Sequence, residues 1–568
     1  MVQMKKSFWV LLWVLWSSAL WAQQSWYVSH QNGSDDFNGQ SPETPFQTVD
    51  FAVQHLDPGD TLFFMGIFAN ESYDPEYVFQ GDIYDPHIWC SENTIKVNNL
   101  YGAPGSYITL KAYNENTVLK GDASNIFRMD HCAYITLEGF KIHGQVENIP
   151  LETAKALQFL YMDSLGVVHY RVPPGTPEDE IEDLQLPVLS NISRPTYTNT
   201  RGLYVSNVHH LIVKNLTIGF MPGVGLLVAK SDYVEITGNK VHDCSRKSYA
   251  GTHGLVVSNS VSMDDFDGYK MLITGNLVYR NFNEIYSWSP SKPFITTHID
   301  EGKGISLQKN RGLWNHGRFL VANNITYWNG YSGVHANRAR AMDFVNNTCY
   351  NNCYTAMVTY ADTIHFGNNM GISVSSGKDI RMINNIVVLD VNAEGFPLSS
   401  AGTEGLVVEN NLIYGIHGVL QRDPDVEAVE QNTLESDPLF VDMENFDFHL
   451  QENSPAIDQG DAEVAPEIDF YGLPRDDYPD LGAVEYQNTN GLIGTNSPEL
   501  LVYPLPFEDF LVVESKNGEA SIYDLHGKKI AVKMERSGKG KLIIDTHLLR
   551  SGIYVLKVGK RSRKLIKR

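Results

Sequence analysis

Between Thr296 and Arg340 the sequence concentrates side chains able to do chemistry: His298, Asp300, Glu301, Lys303, Lys309, Arg311, His316, Arg318, His335, Arg338 and Arg340. Amines and imidazoles take or give protons near neutral pH once their surroundings shift them. Guanidinium groups clamp carboxylates. Neighbouring acids such as Asp300 and Glu301 offer hard oxygen ligands to a cation such as Ca2+. Tyr286, Trp288, Trp314, Trp328 and Tyr331 lie in or beside the same stretch, and flat apolar rings of this kind match the faces of sugar rings. A different use of the region needs two carboxyl groups about 5–10 Å apart for glycoside hydrolysis; Asp243, Asp264, Asp300, Glu301 and Asp343 form that pool. For every one of these residues the plain alternative is a solvated loop edge or a local ion pair.

The elements that must position them repeat. ITGNLVYRN at Ile273–Asn281 recurs as ITGNKVHDC, VANNITYWN, FVNNTCYNN, MINNIVVLD and VENNLIYGI, with a shorter VKNLTI at Val213–Ile218. Aligned asparagines fall at Asn215, Asn239, Asn276, Asn324, Asn347, Asn385 and Asn411, separated by 24, 37, 48, 23, 38 and 26 residues. Each copy alternates apolar and polar residues, so each is a short strand with one buried face. One such strand cannot bury that face alone; stacked copies build a continuous core. A basic period near 23 residues suits one three-strand coil of a right-handed parallel β-helix, whereas propeller repeats run to about 40–50 residues with marks absent here. The asparagines are expected at the bends, tolerating unusual backbone angles and bonding one another along the stack.

The 568 residues carry a net charge of −23, which excludes nucleic acid and anionic membranes as general partners. The last ten residues reverse this, with six Lys/Arg and no acid. Met1–Ala22 reads as a secretory signal: Lys5 and Lys6, then an apolar run at Phe8–Trp16 too short to cross a bilayer. No later stretch is long enough to span a membrane. The five cysteines, Cys90, Cys132, Cys244, Cys349 and Cys353, have neither C-x-x-C nor zinc spacing and read as small buried side chains.

From Tyr27 the chain runs YVSHQNGSDDFNGQSPETPFQTVDFAVQHLDPGDTLFFMG: a strand, a Gly-Ser-Asp-Asp-x-Asn-Gly loop, Pro-Phe-x-Thr, a short amphipathic helix at Val49–Leu56, then Pro-Gly-Asp and a strand. This resembles the N-terminal cap of secreted parallel β-helix proteins of the pectate-lyase-like and polysaccharide-lyase-like group. Such a cap covers an otherwise open sheet edge. Glu301–Ile305, Asn323–Asn324, Gly333–His335 and Asn346–Thr348 resemble a further pattern of that group, with Glu301, preceded by Asp300, where Asp is usual. SPAIDQGD and DFYGLPRDDYPDLGAVEY within Asp437–Tyr486 resemble its C-terminal cap. Ile149–Thr200, rich in Pro and acid, interrupts the coils as an insertion, and insertions on solenoids cluster on one face. After a linker at 487–497, VYPLPFEDFLVV, ASIYDLHGKKI and LLRSGIYVLKV resemble the C-terminal sorting domain of type IX secretion in Bacteroidetes-type bacteria, a small β-sandwich over 498–568.

The resemblance implies a secreted or surface-held monomer, exported by the type IX machinery, that cleaves an extracellular polysaccharide by β-elimination beside a uronate carboxylate. Under that reading Lys303 is the base, Arg338 the carboxylate clamp and His335 an auxiliary acid or base. Asp300 and Glu301 hold Ca2+, and Trp288, Trp314, Trp328, Tyr331 and Arg318 bind substrate. A glycoside hydrolase and a non-catalytic glycan-binding adhesin are the alternatives; the adhesin predicts no convergent Lys/Arg/His cluster.

Overall fold

The computed structural model describes residues 23–297, 299, 301–352, 370–389, 396–415, 420–422 and 428–487, and in the C-terminal unit 501–503, 510–514, 520–523, 529–537, 541–547, 549, 552–558 and 561–567. The expected signal segment, the linker beyond 487, His298, Asp300 and Cys353 lie outside the described residues.

Successive repeats coil into a right-handed parallel β-helix. Each full coil gives one strand to each of three parallel sheets, of twelve, eleven and ten strands among the described residues. One coil supplies Asp232–Thr237, Lys240–His242 and Leu255–Ser258; the next supplies Tyr269–Thr274, Leu277–Tyr279 and Ile305–Gln308. Stacking puts like on like: Ile236 pairs with Ile273, Val241 with Val278 and Val257 with Leu307. These side chains point inward and form one continuous buried core from Trp26 to Ile413. Alternation therefore sends every second residue of a strand outward, where chemistry can occur.

At the bend after each of seven successive strands of the twelve-stranded sheet, from His209–Lys214 to Glu404–Glu409, two adjacent positions divide the work that one asparagine was expected to do. The first takes a left-handed backbone, as Asn215, Gly238, Gly275, Asn323, Asn346, Asn384 and Asn410 all have φ between 50° and 64°. The second is buried and forms the ladder Asn239–Asn276–Asn324–Asn347–Asn385–Asn411. In it each Oδ1 accepts both the backbone N–H and the side-chain amide of the asparagine one coil earlier. Asn215 thus belongs to the strained position, one residue out of the expected alignment; Leu216 stands at the ladder position and donates its N–H to Asn239. A second ladder, Asn281–Asn329–Asn352, closes the far end of the shorter strands. Asn324→Ala removes partners from Asn276, Asn347 and the Ile273 carbonyl together. Unsatisfied buried groups cost about 1–3 kcal/mol each, so the variant should lose at least about 3 kcal/mol, read as a lower urea midpoint.

The amphipathic cap helix is shorter than expected, Val49–Ala52 continued by a 3-10 turn at Val53–His55, with Thr48 as N-cap. Phe46, Val49 and Ala52 join the core at the N-terminal end. The C-terminal segment does not simply close the other end. It folds back along the eleven-stranded sheet, whose outward residues Ile325, Tyr327, Ile386, Val388 and Leu412 are apolar and are covered by Phe440, Phe448, Leu450, Leu481 and Val484. The insertion is packed: its helix Leu151–Leu157 and hairpin Leu160–Met162/Val168–Tyr170 share a buried cluster with Tyr249, Ile285, Trp288 and Ile295. Cys90, Cys132, Cys244 and Cys349 are free thiols. In the C-terminal unit two four-stranded antiparallel sheets share an apolar cluster of Leu511, Val513, Ile522, Ile544, Tyr554 and Leu556.

Candidate active site

The ten-stranded sheet presents its outward face beside the insertion, and there a cleft of about 660 Å³ opens, lined among others by Asn199, Arg201, His253, Glu301, Lys303, Lys309, Tyr331, His335 and Ser373. Register builds it. Gly254 donates its N–H to the Lys303 carbonyl and Gly304 to that of Ser332, so His253, Lys303 and Ser332 occupy one row on three neighbouring coils. Three residues further on, a second row carries Ser306, His335, Ser373 and Ser399. Gly304 is required between the rows: a Cβ there would lie 2.6 Å from the Gly333 carbonyl and 2.7 Å from the Asn329 amide. One rim is formed by Asn199, Ala250, Gly251, Thr252 and Glu301; the chain before Glu301 is held to the insertion by hydrogen bonds from Leu186 to Pro293, Leu189 to Pro290 and the Trp288 indole to Gln158.

Lys303 is 6 % exposed. Its Nζ lies 2.7 Å from Glu301 Oε2 and 4.8 Å from the centre of the Tyr331 ring. The Lys303 backbone N–H points to His253 Nδ1 at 3.4 Å, which leaves the ring proton on Nε2, 3.5 Å from the same Glu301 oxygen. His335 Nδ1 sits 2.6 Å from Ser373 Oγ, itself 3.1 Å from Ser332 Oγ. Burial, then the Lys303 charge, holds both His253 and His335 well below the usual histidine range. Both rings are therefore neutral at physiological pH. Among the charged lining residues, Arg201, Lys303 and Lys309 face a single carboxylate, Glu301.

Of the residues picked from sequence, Lys303, Lys309, His335, Tyr331 and Glu301 converge here. Arg338, Trp314, Trp288, Trp328 and Arg318 do not. Arg338 is exposed, in a left-handed turn (φ 50°) at the end of the His335 strand, and does not line the cleft. Trp314 is fully buried in the helix core, its indole N–H bonded to the Gly317 carbonyl, and cannot meet a sugar. Trp288 is buried under the insertion against Arg171 and Arg194. Trp328 packs edge-on against Phe446 of the returning C-terminal segment. Arg318 belongs to the twelve-stranded sheet, where it pairs with Asp343 and Asp379. Asp343 is fully buried; burial would raise its carboxyl, but hydrogen bonds from Arg381, Arg318 and Tyr269 outweigh that and hold it below the ordinary value. Asp343→Asn leaves two guanidinium groups short of charge and should cost about 3–5 kcal/mol, the price of breaking a buried pair. In the wild type this contribution is full above the ordinary aspartate range and is lost as pH falls through the lower folded value, which acid denaturation curves of the two proteins would separate.

Sequence reasoning missed His253, Arg201 and Ser373. His253 was legible in register: Thr252-His253-Gly254-Leu255 matches Gly302-Lys303-Gly304-Ile305 residue for residue on the next coil. Among the described residues no set of donors gathers for Ca2+. Glu301 is taken by Lys303 and flanked by a histidine, no group of three or more His, Cys, Asp or Glu gathers to hold an ion among the described residues, and Asp300 lies outside them. The carboxylate pool for hydrolysis is likewise dispersed: Asp243 pairs with Arg280, Asp264 with Lys270 and Asp343 with Arg318 and Arg381.

No curated protein sequence matches the chain. Solved structures similar in part include pectate lyase Pel9A (13 % identity, covering 83 % of this chain and 98 % of that one, TM-score 0.40). Others are a rhamnogalacturonan lyase (10 %, 82 % and 96 %, TM-score 0.38) and the GH136 lacto-N-biosidase of Eubacterium ramulus (13 %, 72 % and 67 %, TM-score 0.33). No helix of the described residues is long and apolar enough to cross a membrane. The family model for the secretion system C-terminal sorting domain matches residues 501–568. Those residues, two antiparallel sheets ending in a basic strand, are thus a sorting domain of type IX secretion, and the chain is exported through the outer membrane to the medium or the cell surface.

Proposed function

We propose that the cleft cleaves an acidic extracellular polysaccharide by β-elimination next to a uronate carboxylate. The observation that carries this reading is a cationic cleft, with a neutral imidazole beside a buried ammonium, on a chain whose net charge is −23. Elimination needs a cation to neutralise the carboxylate, so that charge developing on the adjacent carbon is stabilised, and a neutral base to take the proton from that carbon.

Lys303, paired with Glu301, is a cation and fits the first task. The base is then His335 rather than Lys303. The serine pair holds the ring; in the tautomer whose Nδ1–H donates to Ser373, the lone pair of Nε2 is left for the substrate. His335 takes the C5 proton, the C5–H electrons form the C4=C5 double bond, and the C4–O4 bond breaks. The departing oxygen takes a proton from Tyr331 or water. Glu301 and His253 position the ammonium. With Arg338 outside the cleft, Arg201 is the guanidinium that faces the polymer. Hydrolysis is disfavoured because one carboxylate, not two, lines the cleft among the described residues.

The test is ultraviolet absorbance of the unsaturated uronate product after incubating the full chain with polygalacturonate, alginate, chondroitin sulfate and heparan sulfate. A rise with one polymer supports elimination. A flat trace accompanied by new reducing ends would overturn it.

A further inference from the structure

We propose that the outward face of the ten-stranded sheet carries an anion track that starts at Arg201, at the edge of the cleft, runs on to Arg128 and Lys96 beyond it, and binds acidic groups on sugars remote from the cleavage point. The substrate is then a polymer charged along its length rather than one carrying a single uronate. This deepens the reading of the cleft as a site for acidic polysaccharide and rests on it.

The strands Asn93–Asn98, Asn125–Asp130 and Arg201–Ser206 continue the sheet past Leu226–Ala229 and Leu255–Ser258, away from Lys303. Arg201 stands three strands from Lys303, about 14 Å at about 4.8 Å per strand. Arg128 is one strand further and Lys96, its register partner, one more, which places the end of the track about 24 Å from Lys303. One sugar cannot span that distance, so the three cations meet different sugars of the same chain.

Arg201 and Arg128 are held in place but left electrically open, and Lys96 is exposed. The guanidinium groups of Arg201 and Arg128 pack on the Tyr204 ring at 5.3 and 5.6 Å. Arg201 has no carboxylate partner among the described residues. Arg128 reaches Asp130 only at 3.8 Å, and its Nε is buried with no hydrogen-bond partner. Arg194 reinforces them from the insertion. It lies between Tyr249 and Trp288 at 4.4 and 4.8 Å, gives one hydrogen bond to the Trp288 carbonyl, and has no carboxylate beside it among the described residues. Burial, and after it the charge of Arg201, depresses the Arg194 guanidinium, so the two cations repel each other. A chain with 67 acidic residues against 44 basic ones has ample acid to neutralise such positions. Leaving them open in line with the cleft raises the local concentration of a polyanion.

The experiment measures affinity of the full chain for polygalacturonate, alginate and chondroitin sulfate, and for fully methyl-esterified pectin as the uncharged counterpart, at several salt concentrations. The expected result is tight binding of at least one acidic polymer that weakens with salt. Arg201→Gln with Arg128→Gln should weaken it by about tenfold per guanidinium, the effect of one charge-assisted hydrogen bond, and flatten the salt dependence. Arg201→Lys should keep most of the affinity, since the charge remains. Unchanged affinity and salt slope in the double variant, equal affinity for the esterified pectin, or no binding of any acidic polymer would overturn the track. Double-variant binding as tight as wild type, while wild type still makes unsaturated product, removes the track and leaves elimination standing. Salt-sensitive binding lost in the double variant, with no product from wild type, supports the track and removes elimination. Melting temperatures close to wild type show that the variants fold.

Discussion

Lys303→Ala should lower the rate of elimination by about a hundred- to a thousandfold, the range for removing one group that stabilises transition-state charge. The ammonium is almost fully enclosed, so its charge acts on the substrate carboxylate without the screening that water would give. Most of the loss should fall on kcat, because the negative charge that Lys303 meets grows as the C5 proton leaves. Lys303→Arg keeps a cation but not its position over Tyr331 and should recover only part of the rate. The fold should survive the change: Glu301 is partly exposed and can be hydrated once its partner is gone, and the coils are held by the asparagine ladders. A Lys303→Ala protein with full activity and an unchanged melting temperature would remove Lys303 from the mechanism.

His335→Gln should cost about a hundred- to ten-thousandfold, the usual contribution of a positioned general base. The pH profile separates this from a merely structural role. Only neutral imidazole accepts the proton, and the His335 ring is depressed well below its ordinary value of 6.5 by burial and by Lys303. As pH falls from 8, kcat/KM should therefore stay level through 6.5 and decline only in more acid solution. A profile that falls already through the ordinary histidine range would remove this depressed imidazole as the base. Ser373→Ala frees the ring to turn and should lower kcat more than it raises KM, while moving the acid limb of the profile.

The coil stack was legible because its physics is local and repeated. ITGNLVYRN and its copies alternate with period two, and the spacing of the asparagines gives the coil length. Which asparagine of each pair bears the strained backbone was less legible, because Asn-Asn pairs offer two candidates and only the Gly-Asn versions, Gly238-Asn239 and Gly275-Asn276, separate them. Lys303 and His335 were found because they lie in the charged Thr296–Arg340 stretch, within the Glu301–Ile305 and Gly333–His335 segments that open or form strands of one sheet. The tryptophans were misplaced for a physical reason: an indole suits a core as well as a sugar face, and neither Trp288 nor Trp314 lies in a strand whose alternation would tell in from out. Arg338 was off by the turn that follows Asn337, where the chain leaves the sheet. Arg318 follows the same strand logic as Lys303 but on another sheet, a distinction that depends on which of three strands in a coil a residue occupies. The returning C-terminal segment was hidden because nothing in its own sequence names the apolar face it covers.

The central claim is that the cleft breaks a C–O bond without adding water. It is tested most directly by digesting, in heavy-oxygen water, the acidic polymer that the full chain degrades, and weighing the products. Elimination leaves a C4=C5 double bond and puts no solvent oxygen into the new ends at cleavage, so the fragments should be lighter than hydrolytic ones by one water and free of label in rapidly quenched samples. Fragments of hydrolytic mass, with one heavy oxygen per cleavage, would contradict the account and return the cleft to a carboxylate-driven hydrolase.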